Sequence, residues 1–259
     1  MPDCATCQFF DISLNTEDGF HTNRPGGMKL TRQALELIHL PPGAHILDVA
    51  CGTGATLDYL ERQLSYHAVG LDSSGGMLSL AQRSTQGLAI IRANGVSIPL
   101  TAHSQDAVMI ECAFHLAGDS SSVIKEIRRV LKPQGMLIIS DIYLREVGDS
   151  SILDILSHSQ CLSNLLTFQE IQDIMIDAGF EISSWQDQVS VLKEWMMGKV
   201  FELGSLQEFY RRLLGEKACG YGNADAMQAK VKLGYYLMVA QKNVAVTGFS
   251  DYDDGGMDG

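Results

Sequence analysis

Residues 46–64 fix most of what this chain can fold into. Ile46 to Val49 is a short apolar run of the kind a strand buried on both faces shows. It carries Asp48 near its end and breaks into Ala50-Cys51-Gly52-Thr53-Gly54, with glycines two residues apart. Beyond the break, Ala55, Leu57, Tyr59, Leu60 and Leu64 recur at helical spacing, with Asp58, Glu61 and Arg62 on the other face. Strand, glycine turn and helix in that order let a ligand approach the backbone closely beside the positive end of a helix. A nucleotide-type ligand suits such a turn, and this stretch does not say which one.

The same alternation runs on through the chain. Residues 1–28 read as mostly irregular and close with Arg24-Pro25-Gly26-Gly27, and Met28 to Leu40 reads as an amphipathic helix stopped by Pro41-Pro42-Gly43. Strands are predicted at His67–Leu71, Leu88–Ala93, Asp106–Cys112 and Met136–Ser140, with helices at Ser73–Gln82 and Ser122–Leu131. Strands and helices alternating at this spacing imply a parallel, doubly wound sheet whose ligands sit at the carboxyl ends of the strands. After residue 145 the pattern changes. Residues 152–166 and 167–178 read as helical, the second opened by Thr167 and Glu170 as a capping box. Phe180–Val189 reads as a strand, 190–217 as mostly helical, and Gly234–Gln241 as a final strand. The expectation is a Rossmann-like α/β fold: a seven-stranded, mostly parallel sheet with an antiparallel last strand and a helical insertion before it. It divides into a lid segment (1–28), a ligand-binding core (29–145), substrate-side helices with the last strand pair (146–245) and an acidic, disordered tail (246–259).

Composition narrows the function classes. The 259 residues carry a net charge of −12, which argues against a nucleic-acid partner. No apolar run reaches the roughly 18–20 residues of a membrane span, and residues 1–30 lack a signal-peptide layout, so a cytoplasmic protein is expected. The six cysteines are too dispersed for a disulfide framework, and Cys4 and Cys7, spaced as a redox or zinc pair, have no second pair to complete a metal site. No metal is expected. The chain reads as a monomer or homodimer with a small-molecule partner.

Three features select among nucleotides. The glycine turn has Ala50 where a third glycine could stand, so it lacks the full spacing suited to a pyrophosphate. Asp72 closes the second strand, where a carboxylate can take both hydroxyls of a ribose. Asn94-Gly95 places an amide where an adenine amino group could be read. A ribose and an adenine without a diphosphate describe S-adenosylmethionine. Asp48 to Gly54, Val69 to Ser74, Ala93 to Leu100, Asp106 to His115 and Arg129 to Gly135 resemble, in order, the successive motifs of class I S-adenosylmethionine-dependent methyltransferases, closest to the ubiquinone-biosynthesis (type 11) group. The resemblance covers about residues 28–145 and implies S-adenosyl-L-methionine as cofactor. It implies that Asp48 orders the turn near the methionine amino group, and that the backbone of Ala50, Cys51, Gly52 and Gly54 meets the methionine part. Asp72 would lie by the ribose, Asn94 and Gly95 by the adenine, and Glu111 and Cys112 at the rim of the fourth strand, with Ser73 and Met77 as further cofactor contacts. Arg24, Gly26 and Gly27 are assigned to the lid, as its hinge or as a contact to the methionine carboxylate.

Methyl transfer from a sulfonium mainly requires alignment, with a base where the acceptor carries a proton. His115, just past the fourth strand, is the candidate base, although it reads equally as a histidine structuring that loop. Tyr143 and Asp141 are the next candidates at the acceptor. The segments around Cys161 and Cys219 resemble, more weakly, those carrying arsenic-binding cysteines in arsenite methyltransferases, whose soft substrate prefers thiolates. The same residues read otherwise as a small buried side chain and a helix cap. Two further alternatives are a nicotinamide dehydrogenase and a cofactor-binding protein without turnover. The latter would have its acceptor cleft filled by side chains from 190–233.

Overall fold

The computed structural model describes residues 15–17, 20–84, 87–146, 156, 159, 162, 164–214 and 232–243. In chain order these form β1 (Asn15–Glu17), β2 (Phe20–Thr22), α1 (Gly27–Glu36), β3 (His45–Val49), α2 (Ala55–Arg62), β4 (His67–Asp72) and α3 (Gly75–Ser84). There follow β5 (Ala89–Arg92), β6 (Gln105–Glu111), a short 3₁₀ turn (Phe114–Leu116), α4 (Ser120–Val130) and β7 (Leu131–Leu144). The remainder is α5 (Phe168–Asp177), β8 (Phe180–Asp187), α6 (Val189–Leu203), α7 (Leu206–Leu214) and β9 (Leu233–Lys242).

Seven strands make one sheet in the order β5-β4-β3-β6-β7-β9-β8. Strands β3 to β7 pair in parallel, and β9 runs antiparallel to both β7 and β8. The expected fold class is therefore the one observed. The strand order reverses direction between β3 and β6, and a crevice opens at the carboxyl ends of those two strands.

Period-two alternation sends neighbouring strand residues to opposite faces. Ile46, Met109, Ile138 and Tyr235 pack with Leu30, Leu57 and Phe209 on the α1–α2–α7 side. Leu47, Val108, Ile139 and Tyr236 pack with Ile124 and Ile171 on the α4–α5 side. Both sides are dry, which is why these strands read as unbroken apolar runs.

Several bounds shift from those read in the sequence, each for a local reason. The stretch expected to be irregular holds a β1–β2 hairpin, paired from Asn15–Thr22 to Glu17–Phe20. Helix α1 stops at Glu36, where the Leu37 N–H turns back onto the Ala34 carbonyl and the Ile38 N–H onto the Leu35 carbonyl. The fourth parallel-type strand ends at Glu111 because Cys112 adopts a left-handed backbone (φ 56°). β7 outruns its expected bounds because β9 pairs with it from Met136 to Leu144. The capping box on Thr167 forms as the sequence implies, with Thr167 Oγ1 accepting from the Glu170 N–H and Glu170 bonding back. Of the expected helix over 152–166 most lies outside the described residues, as do residues 1–14 and the acidic tail over 246–259. No helix of the described residues is long and apolar enough to cross a membrane.

Gly70, in the middle of β4, decides how closely α2 and the glycine turn sit on the sheet. It pairs with Asp48, and a Cβ there would collide with Leu57 Cδ1 and come 2.7 Å from Cys51 Sγ. Gly70→Ala is expected to cost about 1–3 kcal/mol by overpacking, read as a lower midpoint in chemical denaturation.

Candidate functional site

The crevice between β3 and β6 is a pocket of about 320 Å³, within the size range of small-molecule and cofactor sites. Its floor is the turn that opens α2. Cys51 N–H bonds to the Leu71 carbonyl (3.1 Å), and Gly54 N–H closes back on the Cys51 carbonyl (2.9 Å). Ala50, Gly52 and Gly54 all take positive φ (61°, 53° and 78°). For the two glycines this is free of side-chain strain, whereas Ala50 pays about 1 kcal/mol to stand where the third glycine could be.

Asp72, at the end of β4, ties that turn to its neighbour strand. Its Oδ2 accepts from Gly52 N–H (2.9 Å) and its Oδ1 from Ser74 N–H (2.8 Å). Each oxygen keeps a free lone-pair direction, and Asp72 lines the pocket together with Ser73 and Met77. Across the pocket stand Asn94 and Gly95, with Asn94 Oδ1 accepting from Val96 N–H (3.3 Å). Leu71, Ala93, Leu116 and Val123 supply an apolar wall beside them.

The far wall is charged. Glu111, closing β6, accepts from Arg24 Nη2 (2.9 Å), Thr31 Oγ1 (2.6 Å) and Thr56 Oγ1 (2.6 Å). Burial disfavours the Arg24 charge, but Glu111 and Asp48 outweigh it and hold the guanidinium above its ordinary value. Asp48 lies below the turn rather than in the pocket lining, 3% exposed. Burial, then Glu111 and Asp72, push its carboxyl well above the ordinary carboxylate range, against the pull of Arg24. Asp72 and Glu111 thus line the pocket with Arg24, and Asp48 lies beneath them, an acidic set that fits a cationic ligand bearing a ribose.

The lining brings together Arg24, Ala50, Cys51, Gly52, Asp72, Ser73, Met77, Asn94, Gly95, Glu111 and Cys112, all singled out from the sequence. It leaves out Gly26, Gly27 and Gly54. Gly26 is the left-handed cap of α1, packed toward Leu30 and Val191, and Gly54 is the cap of α2. Tyr143 is elsewhere. It points to the α4–α5 side, edge-on to Trp185 and Tyr236 (centroids 5.5 and 5.8 Å). Cys161 and Cys219 lie outside the described residues. Cys51 and Cys112 are buried, and burial raises both thiols far above their ordinary value, so neither is a thiolate. Thr31 and Thr56 went unmarked in the sequence; their spacing is that of core-facing helix positions, and only the fold brings them to Glu111.

His115 is buried on the 3₁₀ turn after β6, behind the pocket wall. Asp141, fully buried, accepts from His115 Nδ1 (2.6 Å) and Ile142 N–H (2.7 Å) on Oδ1, and from His115 N–H (2.8 Å) on Oδ2. The Asp141 carboxylate accepts at all three contacts, so Nδ1–H is the ring donor to it and Nε2 is the ring nitrogen that Asp141 does not engage. Nε2 is buried with no hydrogen-bond partner among the described residues. His115 also lines a second, small cavity of about 10 Å³ that shares Cys112 with the pocket.

The raised Asp48 carboxyl has a stability consequence. A carboxyl that holds its proton to higher pH when folded stabilises the fold below the ordinary carboxylate range, and that contribution is lost as pH rises through the raised value. Asp48→Asn is therefore expected to raise Tm at about pH 8 and to gain little at about pH 4, measured as thermal melts across that range.

The family model described as a methyltransferase domain matches residues 47–139. A demethylmenaquinone methyltransferase of Thermotoga maritima is 29% identical over 180 residues, covering 60% of this chain and 78% of that one. The chain spans about half the length of other curated relatives, such as the 48% of the Lactiplantibacillus plantarum demethylmenaquinone methyltransferase. Among solved structures, the [4+2]-cyclase SpnF superposes with a TM-score of 0.67 at 24% identity, covering 83% of this chain and 80% of that one. Phosphoethanolamine N-methyltransferase 2 of Haemonchus contortus, in complex with S-adenosyl-L-methionine, superposes with a TM-score of 0.69 at 19% identity, covering 94% and 61%. The family match falls on the very strands that build the pocket, so residues 47–139 form a region similar to a methyltransferase domain, on a fold shared with a structure solved in complex with S-adenosyl-L-methionine.

Proposed function

We propose that this enzyme methylates a small molecule at an atom that gives up a proton, with His115 as general base and Asp141 as its orienting partner. The observation that carries the reading is the buried, unpartnered Nε2 of His115, fixed by Asp141 and one residue, Cys112, away from the cofactor pocket.

The lining residues take separate roles toward the cofactor. Asp72 accepts from the ribose hydroxyls while holding Gly52, Met77 packs over the turn, and Asn94 with Gly95 sits at the adenine. Ala50 to Thr53 offer backbone to the methionine part, and Asp48, Asp72 and Glu111 balance positive charge above them. Arg24 is engaged by Glu111 through Nη2, so it anchors the segment before α1 across the pocket while lining it. The bound cofactor supplies an electrophilic methyl on a cationic sulfur. His115 Nε2 takes the acceptor proton as the acceptor lone pair forms the new bond to carbon and the carbon–sulfur pair returns to sulfur, leaving an imidazolium beside Asp141. The Asp141 charge stabilises that imidazolium, which returns its proton to solvent on product release.

A second reading has one observation in its favour. Leu192, Trp195, Met196, Phe209, Leu213 and Leu233 fill the space around His115, the arrangement expected of a cofactor-binding protein without turnover. Turnover separates the two. Purified protein with S-adenosyl-L-methionine and a panel of phenols, quinols, amines and arsenite is expected to release S-adenosylhomocysteine with an O–H or acidic C–H acceptor. His115→Gln and Asp141→Asn are each expected to slow that release about 10²–10⁴-fold with cofactor affinity within twofold of wild type. Cofactor binding with no release across the panel supports the second reading, and release driven by arsenite that persists in both variants overturns the first.

A further inference from the structure

We propose that His45 and His67 form a surface site for one divalent transition-metal ion, at the end of the sheet opposite the cofactor pocket. The site does not depend on the methyl-transfer reading and takes no part in it.

The sheet brings the two side chains together. His45 opens β3 and His67 opens β4, and the parallel pairing sets them directly opposite each other. Residues in register on neighbouring strands project from the same face of a sheet. Both histidines are exposed, while every later residue of β3 is buried, so the pair stands on a fixed base and faces water. Both backbones are tied at that edge. His67 N–H donates to the Ala44 carbonyl (2.9 Å), and His45 N–H donates to Asp106 Oδ2 (2.8 Å). The two histidines stand on different strands, so no spacing motif in the sequence announces them.

Their separation is that of two ligands on one ion. An imidazole nitrogen binds such an ion at about 2.0–2.1 Å, and two bonds about 90–110° apart hold the ring centres roughly 4.5–5.2 Å from each other. The ring centres of His45 and His67 are 5.0 Å apart, with the planes tilted by 34° and not stacked flat. A Cβ at Gly43 would lie 3.7 Å from His67 Nε2, and the left-handed turn there (φ 69°) favours a residue without one.

The donor type selects the ion. Two imidazoles suit Cu2+, Ni2+ or Zn2+, whereas Ca2+ and Mg2+ take oxygen ligands. Asp106, the carboxylate that holds the His45 backbone, gives both its oxygens to Lys132 Nζ (2.8 Å each), so it steadies the site and is not a third ligand. Among the described residues no three His, Cys, Asp or Glu side chains gather into a metal cage. Water therefore completes the coordination and the ion exchanges freely, with Cu2+ held more tightly than Ni2+ or Zn2+. An ion across the pair staples β3 to β4, the strands whose far ends carry the glycine turn and Asp72.

Calorimetric titration of the full chain, free of any affinity tag, with Ni2+ tests this. Saturable binding is expected, and Ni2+ at about 100 times its Kd is expected to raise Tm by about 5–10 °C. His45→Asn and His67→Asn are each expected to weaken that binding about tenfold or more, because one imidazole forfeits the gain of two linked ligands. The double variant then loses little beyond either single one. His39→Asn, at another exposed histidine, is expected to keep the wild-type affinity. Because neither ligand is buried, all variants are expected to melt within about 2 °C of wild type without metal. Absence of Ni2+ binding to the wild type, affinity unchanged in both single variants, or losses that add in the double variant overturns the proposal.

Discussion

A single buried carboxylate, that of Glu111, holds the site together. It gathers a guanidinium from the segment before α1, a hydroxyl from α1 and a hydroxyl from α2 onto the end of β6. Arg24 reinforces the cluster by donating to the same two hydroxyls, Thr31 at 2.7 Å and Thr56 at 3.0 Å. An ion pair this deep adds little net stability, yet losing either partner strands a charge at a cost of about 3–5 kcal/mol. The geometry is therefore specified more than it is strengthened. With Arg24 fixed, Thr22 to Arg24 become a wall of the cofactor pocket and Pro25 a wall of the apolar cavity.

The sheet converts that local tie into a working arrangement. Because β3 and β6 are neighbours and the strand order reverses there, the glycine turn and the Glu111–Cys112 corner open toward the same space. Gly70 lets Cys51 and Leu57 lie against β4, which sets the height of the turn at which Asp72 receives Gly52. β7, the next strand over, carries Asp141 to His115, so the proposed base and the proposed cofactor contacts hang from adjacent strands of one rigid frame.

Much of this was legible in the residue order. Apolar runs bounded by Asp48, Asp72, Asn94 and Glu111 mark strand ends, and in a parallel sheet strand ends are where ligands go, so the pocket lining follows from local pattern. What the pattern could not carry is pairing across the chain. Arg24 looked free to meet a cofactor carboxylate because nothing near it in sequence announces Glu111 as its partner. Tyr143 looked like an acceptor contact because it follows a strand end. Yet β7 continues through it, and Tyr143 shares the parity of Leu137 and Ile139, which face the α4–α5 side. Cys112 was read as a rim residue, and its second exposure, toward the apolar cavity, depends on α6 and α7 folding back from far along the chain.

The excess of carboxylates over guanidinium below the glycine turn has a consequence for the catalytic cycle. The donor arrives with a positive sulfur and departs as a neutral thioether, so the transfer removes one unit of charge from above Asp48, Asp72 and Glu111. The attraction that seats the donor is weaker for what remains, and the acidic base of the pocket favours exchange of spent cofactor for fresh.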